Sequence, residues 1–383
     1  MKRILNVLII FLLFLLPSEA QEAERKFTLG GYLTTMQSAM FDTISGPVVY
    51  DNLLHNRVNF KTFLSDKISF AAEVRNRLFT GDMARGGKAY SEMIGTDQGW
   101  ADMSWNLINE NSFFLNSTVD RLWIDMNLKN LEVRIGRQRI NWGQTLVWNP
   151  NDVFNAYSFF DFDYVERPGS DAVRIQYYPS SSSTFEVAVK ADSENDVTAA
   201  GLYRFNKWGY DLQLLAGYSN GEDLVFGAGW SGAIGTVSFR GESSFFYPVA
   251  STVSDLGKLI ITAGADKVFE KNSMLQVQVM ICNEPLRLTS FNSFYSGNLS
   301  AKDLAFSRFS AFGSFTWAVN PLFNMTLSGM WFPDLDGYFA GPSADYSLSE
   351  NLDFSLIWQH FDSRMNNERT RINLGFLRIK YSF

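Results

Sequence analysis

The chain is 383 residues long, with 33 Lys+Arg against 40 Asp+Glu and a formal net charge of −7. That acidic balance argues against a nucleic-acid partner, and one cysteine with two histidines makes neither an internal disulfide nor a Cys/His metal cluster. Aromatic residues make up 15% of the chain and charged residues only 19%, a mixture that suits a large soluble β-protein or a β-structure set in lipid.

Residues 1–20 have the form of a secretory leader. Lys2 and Arg3 give a positive start, Ile4 to Leu16 form an apolar run broken only by Asn6, and Ser18-Glu19-Ala20 presents small residues for cleavage before Gln21. The run is too short for a membrane helix, which needs about 20 apolar residues. Losing Lys2, Arg3 and Glu19 leaves 31 basic against 39 acidic residues, a net charge of −8. No comparable apolar run follows Ala20, so membrane helices are excluded.

From Phe27 onward the dominant period is two. Leu275, Val277, Val279 and Ile281 alternate with Gln276, Gln278, Met280 and Cys282, and Phe323 to Trp331 behaves the same way. Helical periodicity is not sustained anywhere. The pattern predicts about eighteen strands, with sixteen as the other even count, near 27–38, 54–65, 67–80, 117–128, 131–140, 170–178, 183–192, 196–205 and 209–218. The rest fall near 222–231, 235–246, 258–268, 273–283, 305–318, 321–333, 337–347, 351–361 and 371–383. Short connections such as Lys129-Asn130 alternate with long ones at 39–53, 81–116, 141–169, 247–257 and 284–304. Short turns on one side and long loops on the other are what a transmembrane antiparallel up-and-down β-barrel shows, and an even strand count puts both termini on the short-turn side. A soluble sandwich gives no reason for that alternation.

The chain ends on Tyr381-Ser382-Phe383, with Ile379, Tyr381 and Phe383 on one face and Arg378, Lys380 and Ser382 on the other. This ending resembles the carboxy-terminal signal that the assembly machinery of bacterial outer-membrane barrels reads. The resemblance makes Tyr381 and Phe383 the expected assembly signal, and outer-membrane lipid and that machinery the expected partners.

The third long connection is the most distinctive stretch. Gly136-Arg137-Gln138 leads to Trp142-Gly143, Trp148-Asn149-Pro150 and Asp152, and Pro168-Gly169 then opens a strand carrying Asp171-Ala172 and Arg174. Here the sequence resembles outer-membrane porin-like barrels, including the alginate-export and related substrate-channel families. In porins the third loop folds inward. The resemblance implies that 141–169 does so here, with Trp142, Trp148, Asp152, Phe154, Asp161, Asp163 and Glu166 as constriction-loop candidates. An ordinary outside loop or an extra hairpin is the alternative.

Strand parity points Arg57, Lys61, Arg75, Arg77, Arg121, Arg134 and Arg174 into the lumen, together with Glu73, Asp125 and Glu132. Walls of charge are how pores select ions. The same arginines could instead pair with the neighbouring acids and simply hold the wall together. His55 and His360 fall on different strands with no catalytic partner pattern beside them, so no enzyme and no cofactor is expected. Only Gln21 to Lys26 stand between the leader and the first strand, so no plug domain is expected. The reading is therefore a passive channel for small hydrophilic solutes, with anionic or sugar-like solutes suggested by the arginines and tryptophans. Its alternative is a barrel that acts as a structural or surface-binding protein through 81–116.

Overall fold

The computed structural model describes residues 26–43, 45–250, 256–287, 299–365 and 368–383, and the expected leader at 1–20 lies outside the described residues. The first strands are β1 (Phe27–Phe41), β2 (Val49–Ser65), β3 (Ile68–Gly81), β4 (Ser104–Asn109), β5 (Phe113–Leu128), β6 (Leu131–Gln138) and β7 (Ser170–Ser180). Next come β8 (Ser183–Ala191), β9 (Val197–Lys207), β10 (Tyr210–Ser219), β11 (Asp223–Ile234), β12 (Val237–Pro248) and β13 (Lys258–Val268). The last are β14 (Met274–Cys282), β15 (Phe309–Asn320), β16 (Phe323–Phe332), β17 (Gly337–Ser349), β18 (Leu352–Met365) and β19 (Glu368–Ser382).

All neighbours pair antiparallel, and β1 pairs with both β2 and β19, so the sheet closes on itself. Strand β4 stands outside the ring. One edge of β5 pairs with β3, while the other pairs with β6 through Leu122–Leu128 and with β4 through Phe114–Thr118. The wall is therefore an 18-stranded closed barrel, the higher of the two counts the sequence allows.

Tight turns gather at one end. Trp208-Gly209 has φ of 56° and 78°, the double positive-φ geometry that matches the twist of a two-residue hairpin. The long connections gather at the other end. The β14–β15 connection runs on to Arg308, where the sequence suggested a strand from 305, and the first two connections also differ in extent. The first shrinks to 42–48, because the amide of Tyr50 donates to Asp82 and Asp51 accepts from the amide of Met83, which props up the strand end where alternation is weak. The second contains α1 (Asp82–Arg85), α2 (Lys88–Gly95), β4 and the upper part of β5.

The two faces differ as a lipid-embedded wall requires. Along β14, Val277 is 46% exposed on the outer face and Met280 is 0% exposed on the inner one. In β16, Met325, Leu327 and Trp331 face out while Ser328, Met330 and Phe332 are buried inside. Exposed aliphatic and aromatic side chains continue around the ring, an apolar surface far beyond what water tolerates and suited to hydrocarbon. The protein is a transmembrane β-barrel, and most of its buried apolar residues form one cluster inside, around residues 140–160.

The amide of Phe383 donates to the Gly31 carbonyl at 3.0 Å and the Gly31 amide donates back at 2.9 Å, so the last residue completes the β1–β19 seam. The Tyr381 and Phe383 side chains remain exposed. Phe383→Asp places a charge at that apolar seam. It should lower the amount of heat-modifiable barrel in the membrane fraction while leaving the pore properties of assembled protein unchanged; wild-type membrane levels would count against an assembly role.

Candidate functional site

Strand β6 stops at Gln138 and β7 starts at Ser170, directly opposite it, so both stems of the 139–169 segment leave the wall at one point. From there the segment meets side chains on the inner faces of strands around most of the ring. Its first limb lies on the β8–β14 side. The Trp142 indole N–H donates to Glu186 of β8 at 2.7 Å, and Gln213 of β10 donates to the Trp142 carbonyl at 2.9 Å. Glu242 of β12 accepts the amides of Gln144, Thr145 and Asn151 and, at 2.9 Å, the Thr145 hydroxyl. Gln278 of β14 accepts the Val147 amide at 2.9 Å and donates to the Trp148 carbonyl at 3.1 Å. Asn151 donates to the Ala228 carbonyl and accepts from Ser244. Hydrogen bonds to a charged partner contribute about 1.5–3 kcal/mol each, so Glu242 alone is a strong anchor.

The middle of the segment is apolar. Phe160 packs edge-on against Phe339 and Phe361, with centroids 5.1 and 5.0 Å away, and Phe159 packs against Phe312. Leu304, Ala305 and Phe306, from the β14–β15 connection, join the same buried cluster. The last limb returns along β19, β2, β1 and β5. Phe162 packs on Phe376, Asp163 faces His55 at 3.4 Å and Arg378 at 3.9 Å, and the Tyr32 hydroxyl donates to Glu166 at 3.1 Å. Tyr164 lies under the Arg75 guanidinium at 3.6 Å, and Arg121 donates to the carbonyls of Glu166 and Arg167.

The structure thus sorts the expected residues into two groups. Trp142, Trp148, Asp152 and Phe154 are buried together on the β8–β14 side. Asp163 and Glu166 meet the arginine wall, and Asp161 lies nearby with its carbonyl taken by Arg167 at 2.6 Å. The wall arginines are mostly paired. Arg57 is fully buried and bonded to Asp120 and Glu73, and Arg75 lies 3.4 Å from Asp120. Arg134 meets Asp125 and Glu132, and Arg174 meets Glu132. Arg77 donates to Asn116 and the Ile94 carbonyl, and Lys61 sits over Phe63 and Trp123, away from the segment.

Glu186, Glu242, Gln278 and Asp120 did not stand out in the sequence. Asp120 is hidden by a bulge: Arg121 pairs with Glu73 but Val119 with Val74, so two successive residues serve the inner face. A polar cavity of about 450 Å³ opens on the long-loop side of the segment, lined by Asp171, Lys190, Asp192, Asp196, Asp223 and Lys302 among others. At its edge Arg137 bonds Asp97 at 2.6 Å and Asp171 at 2.7 Å, tying the irregular stretch 97–101 to the stems.

No family model and no curated protein matches this sequence. Among solved structures, Acinetobacter baumannii OccAB2 aligns with a TM-score of 0.59 at 9% identity, covering 93% of this chain and 98% of that one. Pseudomonas aeruginosa OccK11 (OpdR) aligns at 0.58 and 9%, covering 95% and 99%. The outer membrane protein OpdK of the same organism aligns at 0.58 and 9%, covering 93% and 98%. The fold is that of bacterial outer-membrane porins.

Burial raises the Asp152 carboxyl from 3.8 to about 7, with Glu242 adding to the rise and the Trp142 amide, Arg139 and Lys190 opposing it. Below about pH 4 the folded and unfolded forms both hold this proton. As pH rises to about 7 the unfolded form ionises first, so folding loses stability, and above that the loss is constant. The urea midpoint of the folded barrel should therefore fall between pH 4 and pH 7, and less steeply in Asp152→Asn. Identical slopes for the two proteins would remove Asp152 from the pH dependence.

Proposed function

We propose that this barrel is an outer-membrane channel for passive diffusion of small hydrophilic solutes, with 141–169 as its constriction. The reading rests chiefly on one observation: the connection between β6 and β7 is held to inner-face side chains on opposite walls, from Glu242 on β12 to Arg121 on β5. A loop so placed reduces the bore of a barrel otherwise wide enough for a water-filled lumen. Asp163 lies 3.9 Å from Arg378 and Glu166 accepts from Tyr32, so the segment's acids sit against the arginine-rich wall, and low-dielectric walls strengthen the field a passing solute meets. That field suits an anionic solute, whereas Trp142, Trp148 and Phe154, the rings expected to stack on a sugar, are buried and lend a sugar-like solute no support.

The surface-binding alternative draws on Trp100 and Met93, 66% and 61% exposed on the β3–β5 connection. Planar-bilayer recording separates the two, since a surface-binding barrel need show no solute-sized conductance. Deleting 145–165 should raise single-channel conductance. Glu242→Ala, which keeps the chain length and removes the carboxylate anchor, should give larger or fluctuating conductance levels. Neutralising Arg75, Arg134 and Arg174 together should shift ion preference towards cations, and neutralising Asp161 and Asp163 should shift it towards anions. Unchanged conductance and reversal potential in all four variants would sink the constriction reading.

A further inference from the structure

The outward face of the β18–β19 hairpin changes character towards the long-loop rim. Along β18, Leu356 and Trp358 give way to His360, Asp362 and Arg364, and along β19, Leu377 and Gly375 give way to Asn373, Arg371 and Arg369. No other described strand carries a basic residue at an outward position on that rim. The boundary itself is aromatic: Trp358 packs edge-on against Phe41, and the Tyr338 hydroxyl meets His360 at 3.3 Å. Such rings mark where hydrocarbon ends on a barrel wall. Arg371 pairs with Asp362, four residues past Trp358, which is about 14 Å along the strand and roughly 10 Å in height once the strand tilt is allowed for. That is headgroup level.

Three guanidinium groups there share two carboxylates. Arg364 and Arg369 stand directly opposite each other in the ladder, a like-charge pairing that repels unless it is countered. Asp336, from the β16–β17 turn, lies 3.5 Å from Arg364 and accepts from Arg369 at 2.8 Å. Asp362, which is buried, accepts from Arg369 and, at 3.0 Å, from Nε of Arg371. Glu368 pairs with buried Met365 and so takes the inner parity. The outward cluster therefore carries one positive charge in excess. Among the described residues, Arg371 is engaged through Nε alone and Arg364 by Asp336 alone, and their side chains are 61% and 56% exposed. Arg369 is the fixed centre, and the other two forks point their remaining donors outward.

We propose that Arg364 and Arg371, held in place by Arg369 and the two aspartates, dock the phosphate of an outer-leaflet lipid headgroup on the outside of the barrel. Guanidinium forks match phosphate oxygens in two parallel hydrogen bonds. The long-loop side of an outer-membrane barrel faces the outer leaflet, so a headgroup at this height meets the cluster from the side. A free phosphate ion would meet the same charges in water, where salt screens them. A lipid adds its acyl chains, which lie against exposed Leu356, Leu377 and Trp358 directly beneath the cluster. That apolar contact favours the lipid over the free ion. The site lies on the opposite face of the wall from the lumen and is independent of the channel reading.

The test uses the full-length protein folded in detergent and titrated with diphosphoryl lipid A, with the same lipid stripped of its phosphates, or with inorganic phosphate. Native mass spectrometry reads the fraction of barrel that retains one lipid. The wild type should retain the phosphorylated lipid several-fold better than the stripped one. R364Q/R371Q should lose that preference, while K67Q/K207Q, the same charge change on the short-turn side, should keep it. Asp336→Asn, which frees the arginines from a counter-charge, should raise retention. That opposite sign separates docking from a merely structural role, since a cluster that only ties loops together would lose lipid, if any, in both variants. Equal retention of the stripped lipid by the wild type, wild-type preference in R364Q/R371Q, or no gain in Asp336→Asn would each overturn the proposal. Displacement of the lipid by inorganic phosphate at equal concentration would overturn it too, because the site would then take the free ion. No arm needs a conducting pore, so failure of the channel reading leaves the result standing.

Discussion

Every backbone amide and carbonyl that crosses hydrocarbon must find a partner within the protein, since an unpaired one costs several kcal/mol. The closed ring from β1 to β19 satisfies that demand for the wall, with the Phe383–Gly31 pair completing its seam. Closure at this strand number creates a second problem, because inward side chains alone cannot fill so wide an interior. Residues 139–169 enter that space and bring their own backbone groups away from bulk water. The same accounting then governs the inner wall. Glu242 and Gln278 take amides, whereas Gln213, Lys190, Gln359 and Arg121 donate to the carbonyls of Trp142, Phe154, Phe160, Glu166 and Arg167. Much of the inner polarity is thus partnership with one segment.

That partnership also changes the electrostatic meaning of the arginine wall. A buried guanidinium without a counter-charge is costly, and removing one member of a buried pair typically costs about 3–5 kcal/mol. Arg57, with no exposed surface, is tolerable only because Asp120 and Glu73 both reach it. Arg134, Asp125, Glu132 and Arg174 form a similar chain of alternating sign on β5, β6 and β7. Each of these two clusters is balanced, but Lys61, Arg77 and Arg121, with no carboxylate within 4.0 Å among the described residues, leave the wall as a whole net positive.

The barrel was largely legible in the sequence, because a wall with lipid on one side and water or protein on the other enforces a period of two. Strands such as β14 and β16 carry it without a break. Strand β4 was not legible: Ser104 to Asn109 follows two short helices and pairs with β5 along one edge only, so nothing forces alternation on it. The inward arginines followed from parity, but Asp120 did not, because its bulge breaks parity at that point. Glu186, Glu242 and Gln278 were visible as inward polar residues, yet any wet lumen would show the same. The signal that was present and passed over is apolar. Phe312, Met330, Phe339 and Phe361 occupy inward positions on successive strands, which a wet wall does not explain and a covering segment does.

Those phenylalanines also make the two limbs of the segment unequal. On the β8–β18 side, Trp142, Phe154 and Phe160 are each at most 3% exposed, and burying a large apolar side chain is worth about 1.5–3 kcal/mol. The carboxylate anchor at Glu242 and the Trp142–Glu186 bond add to that in a region closed to solvent. The returning limb, 161–167, has fewer apolar anchors: Phe162 packs on Phe376, Asp163 and Glu166 meet partly buried partners, and buried Arg121 donates to the carbonyls of Glu166 and Arg167. The first limb is therefore held mainly by apolar burial and the Glu242 carboxylate, and the returning limb by ring contacts and the Arg121 guanidinium.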